Sequence, residues 1–410
     1  MAQYFGLVLI GALAFLILWR EGLFKSKPAL FLGAALICAA MLLRGACLEH
    51  ETLDYQNFLT RWVRFFRENG GFRALSQSVG NYNVPYLYFL ALFSYSSIRD
   101  LYLIKLLSTL FDVILAWGVL RLARRFRPSA ALIGFFVTMF LPTVVLNGAY
   151  WAQCDSIYAA FAVWSVALAL ENKPVRSVAA IALSFAFKLQ AVFLMPVFLI
   201  FLFAKKIKWY HLGVFPLTYL IVALPAVLAG RPPLDTVLLY FDQAGSVGGG
   251  LNYNSSSVYA FFRGAESTPL TSGLGIAAAL AFLLLLFLFC RLRRGQLNDR
   301  ALLACALLTA VAVPFLLPHM HDRYFFIADT LSVAFAVMTP MLAHVPVCVS
   351  FASLMGYHAY LTQRWFLNRP QSLAWGAAAL LAVILTLCLY LAAATGGFEK
   401  KRLTNRGNLL

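Results

Sequence analysis

The sequence predicts an all-α membrane protein that crosses the bilayer many times. Of its 410 residues, 62% are hydrophobic and 12% are charged, whereas about a quarter of an average soluble domain is charged. The apolar residues lie in long runs, and a spanning helix needs roughly 20 of them. The alternating pattern of a transmembrane barrel strand is not found. We therefore expect one polytopic helical domain over residues 1–410.

Thirteen apolar runs are candidate spanning helices. They cover residues 4–19, 28–46, 101–120, 129–147, 151–170, 174–188, 189–204, 210–229, 271–290, 301–318, 322–341, 343–361 and 371–395. Several are short, and 174–204 could instead be a re-entrant pair or one kinked unit. The tyrosine-rich run 82–98 is read as interfacial or partly re-entrant, because a crossing there would break the alternation of basic loops. The first run lacks a basic leader and a clear cleavage site, which predicts a retained helix.

Basic residues set the expected orientation. The net charge is +17, and most of the 33 basic residues fall in short loops and in the tail 397–410. By the positive-inside rule these segments are cytoplasmic, so the N-terminus is expected outside and the C-terminus inside. The same rule explains the basic charge without a nucleic-acid partner. The basic groups are Arg20/Lys25/Lys27, Arg121/Arg124/Arg125/Arg127, Lys173/Arg176, Lys205/Lys206/Lys208, Arg291/Arg293/Arg294/Arg300 and Lys400/Lys401/Arg402/Arg406.

This topology places the polar segments on the exoplasmic face. The largest is 44–100, predicted to be a helical first loop with amphipathic interfacial helices, followed by 150–156, the surroundings of Lys188, a Gly-rich flexible loop at 230–270, and 318–324. The Gly-rich loop carries no P-loop pattern and is read as a flexible connection or a lid. An active site in this chain would therefore face outward.

Asp54 leads the amphipathic run of the first loop. A carboxylate there suits a general base that removes a proton from a hydroxyl. The alternative is that Asp54 only sits in the first turn of a helix, where the dipole favours negative charge. Glu51, a weaker acidic candidate, and Trp62 on the same loop could contact a sugar or an acceptor.

Two later segments carry polar groups at membrane depth. In YWAQCDSIYAAF these are Gln153 and Asp155; such groups are usually functional or paired, although Asp155 could simply cap the next helix. Lys188 is a lone cation in SFAFKLQAVF. It could meet a lipid phosphate or extend its ammonium group to the interface.

The segment LPHMHDRYFFIAD combines His319, His321 and Arg323. An arginine fork beside a histidine can hold a phosphate, and helix capping with interfacial anchoring is the alternative. The i, i+2 histidine spacing does not place both rings on one helical face, and no CxxC spacing occurs. We expect no metal site and no cofactor.

Taken together, these three blocks resemble bacterial relatives of the mannosyltransferase that adds the second mannose of the GPI anchor, within the wider GT-C glycosyltransferases. Members of that family carry a Trp/Tyr–Gly/Ala–Gln–x–Asp–Ser run, a Lys-Leu-Gln and a His-x-His-(Asp/Glu)-Arg-Tyr. The matching positions are Trp151, Gln153, Asp155, Ser156, Lys188, Leu189, Gln190, His319, His321, Asp322, Arg323 and Tyr324. LDYQNFLTRW, which contains Asp54, resembles the acidic first loop of the family.

The resemblance implies a GT-C-like bundle of about thirteen transmembrane helices in a bacterial plasma membrane. It further implies an inverting transfer of a hexose, mannose or similar, from a polyprenyl-phosphate donor to a glycan, glycolipid or protein hydroxyl outside the cytoplasm. Asp54 would be the base. Lys188, Arg323, His321 and His319 would hold the leaving phosphate, and Gln153, Asp155 and Gln190 would orient the sugar or the acceptor.

Two other functions stay open at this point. A transporter or flippase of a lipid-linked saccharide would also use lone intramembrane charges, but matched broken helices in two halves are its sequence pattern, and no repeat is found. An O-antigen polymerase or ligase would carry its largest outer loop late in the chain. Here the largest loop comes early, and it begins with acidic residues.

Overall fold

The structure is a computed structural model that describes residues 1–245, 249–262 and 266–396. The predicted basic tail, 397–410, lies outside the described residues. The described chain is all-α apart from two strands of two residues each, so the predicted fold class is confirmed at that level. Its helices are α1 Ala2–Arg20, α2 Lys27–Ala46, α3 Thr60–Glu68, α4 Val84–Phe93, α5 Asp100–Phe126, α6 Ala131–Phe140, α7 Pro142–Val145, α8 Asp155–Leu170, α9 Pro174–Phe187, α10 Val197–Phe203, α11 Val214–Leu228, α12 Pro233–Gly245, α13 Pro269–Leu292, α14 Asp299–Leu316, α15 Phe326–Met338, α16 His344–Thr362 and α17 Arg369–Ala394.

The number of spanning helices differs from the predicted thirteen. Within the described residues, eight helical stretches are long and apolar enough to cross a membrane, and a ninth forms if Pro128–Phe140 and Pro142–Tyr150, which meet at 45°, count as one span. The other four predicted runs are helical but short: α8, α9, Leu189–Phe203 and α15 have at most 16 residues. The apolar runs 151–170 and 322–341 predicted helices that are too long, because the first four residues of each run lie outside the helix.

Proline and a capping side chain mark several helix starts. Ser26 accepts a hydrogen bond from the amide of Ala29 at 3.3 Å at the start of α2, and Asn298 accepts one from Ala301 at 3.0 Å at the start of α14. These side chains satisfy amides that have no partner inside the helix. Pro28 lies in the first turn of α2, where its missing N–H is not needed.

Helix α5 is the central element, and most of its side chains are buried. Its Asp112 forms a fully buried ion pair with Arg44 of α2, at 2.8 Å, and also accepts a hydrogen bond from Ser156 of α8. Arg44 donates further to the carbonyl oxygen of Met139, at 3.1 Å. This cluster joins α2, α5, α6 and α8 behind the start of α8.

Several predicted cytoplasmic loops meet at one end of the molecule, which we call the basic end. There, side chains that follow α1, α8 and α10 pair with side chains at the end of α5 and the start of α14. The ion pairs are Arg121–Glu21, Arg121–Glu171, Arg124–Glu21, Arg125–Asp299 and Lys206–Asp299, with N–O distances of 2.6–3.2 Å. The structure thus brings these loops to one end, and a membrane side is not assigned by it.

The first loop, 44–100, is largely helical. Residues Tyr55–Leu59 form a π-helical turn, Gly71–Ser76 a 3-10 turn, and α3 and α4 lie beside them. The buried side of this run consists of Leu59, Val63 and Phe66, whereas Phe58 is exposed. The amphipathic pattern therefore predicted the helix, although Phe58 does not lie on its buried side.

A small sheet connects two loop segments that are far apart in sequence. Strand β1, Asn252–Tyr253, pairs in parallel with β2, Met320–His321. The predicted flexible loop 230–270 thus contains α12, β1 and a 3-10 turn at Val258–Phe261, besides residues 246–248 and 263–265, which lie outside the described residues.

Candidate active site

Asp54 lies immediately before the π-helical turn Tyr55–Leu59 and accepts three hydrogen bonds. The indole N–H of Trp151 donates at 2.9 Å, the side-chain amide of Gln153 at 2.7 Å, and the hydroxyl of Tyr360 at 2.5 Å. These donors come from the loop before α8 and from the last turn of α16. The dipole interpretation of Asp54 therefore does not account for its contacts, since the carboxylate is fixed by side chains from two other segments.

The loop that carries Trp151 and Gln153 has an unusual backbone. It follows a π-helical turn, Leu146–Tyr150, and Ala152 has a φ of +64°, in the left-handed region that an alanine rarely adopts. This conformation lets the side chains on both sides of Ala152 reach the same carboxylate. Thr52 fastens the loop by donating to the carbonyl oxygen of Trp151 at 2.9 Å.

Gln153 connects Asp54 to Arg323. Its amide nitrogen donates to Asp54, while its amide oxygen accepts from the guanidinium of Arg323 and from the hydroxyl of Tyr82, the latter at 3.3 Å. The Arg323 guanidinium also lies over the Trp151 ring, 4.8 Å from its centre. Such a contact is favourable for a cation against an aromatic face.

Asp155 lies between the two predicted cations. Its carboxylate forms an ion pair with Lys188, lies 3.7 Å from the guanidinium of Arg323, and accepts a hydrogen bond of 2.7 Å from the side-chain amide of Asn147. Lys188 is in turn 5.3 Å from the Tyr82 ring centre. Lys188 is thus paired within the protein, which does not fit a side chain that only extends to the interface.

We call Asp54, Trp151, Gln153, Asp155, Lys188, Arg323 and Tyr360 the Asp54 network. Its two cations both lie close to Asp155, and the guanidinium of Arg323 also lies 3.6 Å from the carboxylate of Asp322. Burial lowers the pKa of the Arg323 guanidinium, but nearby acidic groups raise it by more, so the net pKa is raised. These groups are Asp155, Tyr82, Asp322 and Asp54. The side chains of Lys188 and Arg323 are 13% and 19% exposed.

His321 and Asp322 lie beside the network. His321 stacks on Tyr253 of β1 with ring centres 4.7 Å apart. Burial, with Arg323 and Lys188 nearby, lowers the pKa of His321 to about 4, so the ring is neutral at pH 7. Burial, reinforced by the charges of Asp54 and Asp155, raises the pKa of Asp322 to about 7. A neutral imidazole can offer a phosphate one N–H donor but no charge.

His319 contacts residues outside the Asp54 network. One of its ring nitrogens lies 2.7 Å from the carbonyl oxygen of Gly250 and the other 3.0 Å from the hydroxyl of Ser272. Its φ of +63° turns the chain between α14 and β2. Both ring nitrogens of His319 therefore contact other segments, at Gly250 and Ser272, and the structure does not bring His319 into the Asp54 network.

The remaining three predicted residues differ in placement. Glu51 forms an ion pair with Arg99 and accepts a 2.9 Å hydrogen bond from Gln56, outside the network. Trp62 packs edge-on against Tyr82, with ring centres 5.5 Å apart. Gln190 has a buried amide oxygen without a hydrogen-bond partner. Trp62 therefore borders the network through Tyr82, and Gln190 offers an acceptor near Tyr324.

Sequence reasoning missed Tyr360 and Asn147 as site residues. Tyr360 lies in a helical run, and nothing in the order of residues links it to Asp54, 306 positions earlier. Asn147 precedes the recognised block by only four residues. A polar amide in an apolar run was the available signal for it.

No group of three or more His, Cys, Asp or Glu side chains suited to a metal ion occurs in the described part of the chain. In comparisons with known proteins, no family model, no curated protein and no solved structure matches the chain. Inference about function therefore starts from the Asp54 network itself. It contains a fixed, partly exposed carboxylate, Asp54, which Gln153 connects to Arg323, and a second cation, Lys188, which is paired with Asp155.

Proposed function

We propose that the chain is an inverting glycosyltransferase of GT-C type. It would move a hexose, mannose or similar, from a polyprenyl-phosphate donor to an acceptor hydroxyl on the exoplasmic side of the membrane. The observation that carries this proposal is the geometry of the Asp54 network, in which a proton acceptor, Asp54, is joined through Gln153 to Arg323 and lies near Lys188.

In the proposed reaction, Asp54 takes the proton of the acceptor hydroxyl while that oxygen attacks the anomeric carbon. The bond between this carbon and the phosphate oxygen breaks on the opposite face, and its electron pair leaves with the lipid phosphate. A carboxylate has about four lone-pair sites. Three are used by Trp151, Gln153 and Tyr360, which leaves one for the acceptor proton. The three bonds also fix the orientation that general-base catalysis requires.

The leaving phosphate would lie against Lys188 and Arg323. Lys188 and Arg323 both lie close to Asp155, and Arg323 also lies 3.6 Å from Asp322. Because the pKa of Asp322 is raised to about 7, protonation of Asp322 leaves Asp155 as the carboxylate beside the two cations and favours an anion there. Fixed cations in a site of low dielectric stabilise developing negative charge effectively. His321, being neutral, would add a hydrogen bond. His319 is left out of this proposal, because both of its ring nitrogens have partners.

Gln153 and Asp155 would orient sugar hydroxyls, with Trp62 and Gln190 at the border of the sugar or acceptor site. Glu51 is left out, since Arg99 and Gln56 occupy it. The acceptor would be a glycan, a glycolipid or a protein, and the polyprenyl chain would enter from the surrounding membrane lipids. Long apolar helices support a membrane location; a bacterial plasma membrane with the N-terminus outside remains part of the proposal.

The direct test compares wild type with Asp54→Asn in transfer from polyprenyl-phosphate mannose and polyprenyl-phosphate glucose. Removing a general base lowers rates by about 10²–10⁴-fold, so we expect the variant to bind donor and to lose transfer by at least about 100-fold. Glu49→Gln is the matched control: it neutralises an exposed acid on the same loop, which contacts Tyr102 and Arg99, and should transfer normally.

Three outcomes would contradict the proposal. Normal transfer by Asp54→Asn would exclude Asp54 as the base. Movement of lipid-linked sugar across liposomes by wild type, without transfer, would favour a flippase. Turnover only with polymeric diphosphate-linked donors would favour an O-antigen polymerase or ligase.

A further inference from the structure

Asp329 is a buried carboxyl group that the proposed reaction does not use. It lies in the first turn of α15 and is fully buried. Within the described chain it forms no ion pair, and neither of its carboxylate oxygens makes a hydrogen bond of ordinary geometry. A buried carboxyl group without compensation is unfavourable, and inside a membrane such a group usually has a function.

Three hydroxyl groups face this carboxylate from two neighbouring helices. They belong to Thr143 of α7 and to Ser350 and Ser353 of α16, and each lies close enough to act as a weak hydrogen-bond donor to Asp329, although none makes a hydrogen bond of ordinary geometry to it. All three residues are buried, and within the described part of the chain none of their hydroxyl oxygens makes a hydrogen bond of ordinary geometry. Serine and threonine in helices often donate to a carbonyl oxygen of the preceding turn, as Thr309 does here at 3.1 Å from Cys305. The three hydroxyls around Asp329 do not make this bond to their own helix.

We propose that these five oxygens bind a sodium ion. Hydroxyls that donated directly to a carboxylate would lie within about 2.7 Å of it. Hydroxyls that face a carboxylate without making that bond leave room for an ion that all of them coordinate. Carboxylate and hydroxyl oxygens are suitable ligands for a hard cation.

The charge of the site selects a monovalent ion. One carboxylate balances one positive charge. A divalent ion would leave one charge buried and uncompensated, which is strongly unfavourable. The described residues offer no group of three acidic, histidine or cysteine side chains for it.

The ion would connect the elements that hold the Asp54 network. Thr143 follows the break between α6 and α7, where the two helices meet at 45°; broken helices that expose backbone carbonyls are common at sodium sites in membrane proteins. Tyr357 of α16 lies close enough to both Asp329 and Asp155 to be affected by their charges. Its hydroxyl accepts from Asn147 at 3.2 Å, and Asn147 donates to Asp155.

The test measures thermal unfolding of the purified full chain by tryptophan fluorescence while sodium chloride replaces choline chloride at constant ionic strength. A ligand that binds only the folded state raises Tm with its concentration. We expect Tm to rise with sodium in wild type and to stop responding in Asp329→Asn. Ser353→Ala removes one ligand and should require roughly tenfold more sodium, which corresponds to about 1.4 kcal/mol.

Ser165→Ala is the matched control. Ser165 is buried on α8, and its hydroxyl donates to the carbonyl oxygen of Ala162 in its own helix at 2.7 Å, so this variant should keep the wild-type response. Should Asp329→Asn fail to fold, Ser353→Ala decides. Equal Tm values in sodium and choline would overturn the proposal. The proposal would also be overturned if the Tm of wild type did not respond to sodium but fell as the pH rises, while the Tm of Asp329→Asn did not fall. The carboxylate would then bind a proton and not a sodium ion.

Discussion

At the scale of single residues, His321 and Asp322 have opposite pH dependences. The pKa of Asp322 rises from 3.8 to about 7 on folding, so its stabilising contribution is complete below pH 3.8 and is lost as the pH rises through 7. The pKa of His321 falls from 6.5 to about 4, so its contribution is complete above pH 6.5 and is lost as the pH falls toward 4. The pair therefore favours folding most when Asp322 is protonated and His321 is neutral.

Asp322→Asn should remove the first of these two dependences. An amide cannot ionise, so the Tm of the variant minus that of wild type should increase from pH 5 to pH 8. Because protonation is linked to folding, the free energy of unfolding can change by at most about 1.4 kcal/mol per pH unit between the unfolded-state and folded-state pKa values of Asp322. Thermal unfolding in matched buffers measures the difference, with the exposed Glu49→Gln variant as control. A difference that stays constant or decreases with pH would show that Asp322 is already ionised at pH 5.

Residue chemistry could be predicted from sequence where a polar group interrupts an apolar run. Gln153, Asp155, Lys188 and Arg323 stand out in this way, and the structure brings all four together. Tyr360 could not be predicted, because a tyrosine near a helix end is ordinary at a membrane interface. The contacts of the two His319 ring nitrogens with Gly250 and Ser272 could not be predicted either. These residues are distant in sequence, and only the fold brings them close to His319.

At the scale of secondary-structure elements, the ion pair of Arg44 and Asp112 fixes the start of α8. Both side chains are fully buried, and Asp112 also accepts from Ser156, the residue after Asp155. Removing one partner of a buried pair leaves an uncompensated charge and costs about 3–5 kcal/mol. The position of Asp155 in the Asp54 network should therefore depend on Arg44, although Arg44 does not contact the network's residues.

Arg44→Met should accordingly lower Tm strongly, and Arg44→Met combined with Asp112→Leu should recover part of the loss, because no charge is then left unpaired. Arg125→Met is the control. It breaks an ion pair with Asp299 in which the arginine is 46% exposed, and exposed pairs contribute about 0–1 kcal/mol. Similar losses of Tm in Arg44→Met and Arg125→Met would contradict the importance of the buried pair.

Helix positions could be predicted well from the apolar runs, but helix ends near the site could not. The sequence gives no sign of the π-helical turns at Tyr55–Leu59 and Leu146–Tyr150, or of the left-handed Ala152. Such features depend on tertiary contacts that compensate for their strain, and they are frequent at functional sites. The first loop was predictable as an amphipathic helix, because its charged and aromatic residues alternate with helical period.

At the scale of the whole molecule, the four short helices connect the Asp54 network to the basic end. Helix α8 runs from Asp155 to the residue before Glu171, and α9 leads back to Lys188. Leu189–Phe203 then leads toward Lys206, and α15 ends at Met338, whose carbonyl oxygen is 3.4 Å from Arg300. Helices of 13–16 residues are too short for a full bilayer of about 30 Å. We infer that they still cross, which requires the Asp54 network at one end of them to be recessed below the membrane surface.

Thirteen crossings and nine crossings place Lys208 on different sides of the membrane, so its position can decide between the two counts. Lys208 lies on the exposed surface between Leu189–Phe203 and α11. With thirteen crossings it shares the cytoplasmic side with the other basic loops, whereas omission of the four short helices would place it outside. In intact cells, a membrane-impermeant maleimide should therefore label Glu49→Cys but label Lys208→Cys only after the membrane is permeabilised. The unsubstituted chain, with its seven native cysteines, sets the background. Labelling of both positions in intact cells would exclude thirteen crossings. Labelling of Lys208→Cys alone would reverse the orientation and place the Asp54 network on the cytoplasmic side, where the proposed exoplasmic transfer could not occur.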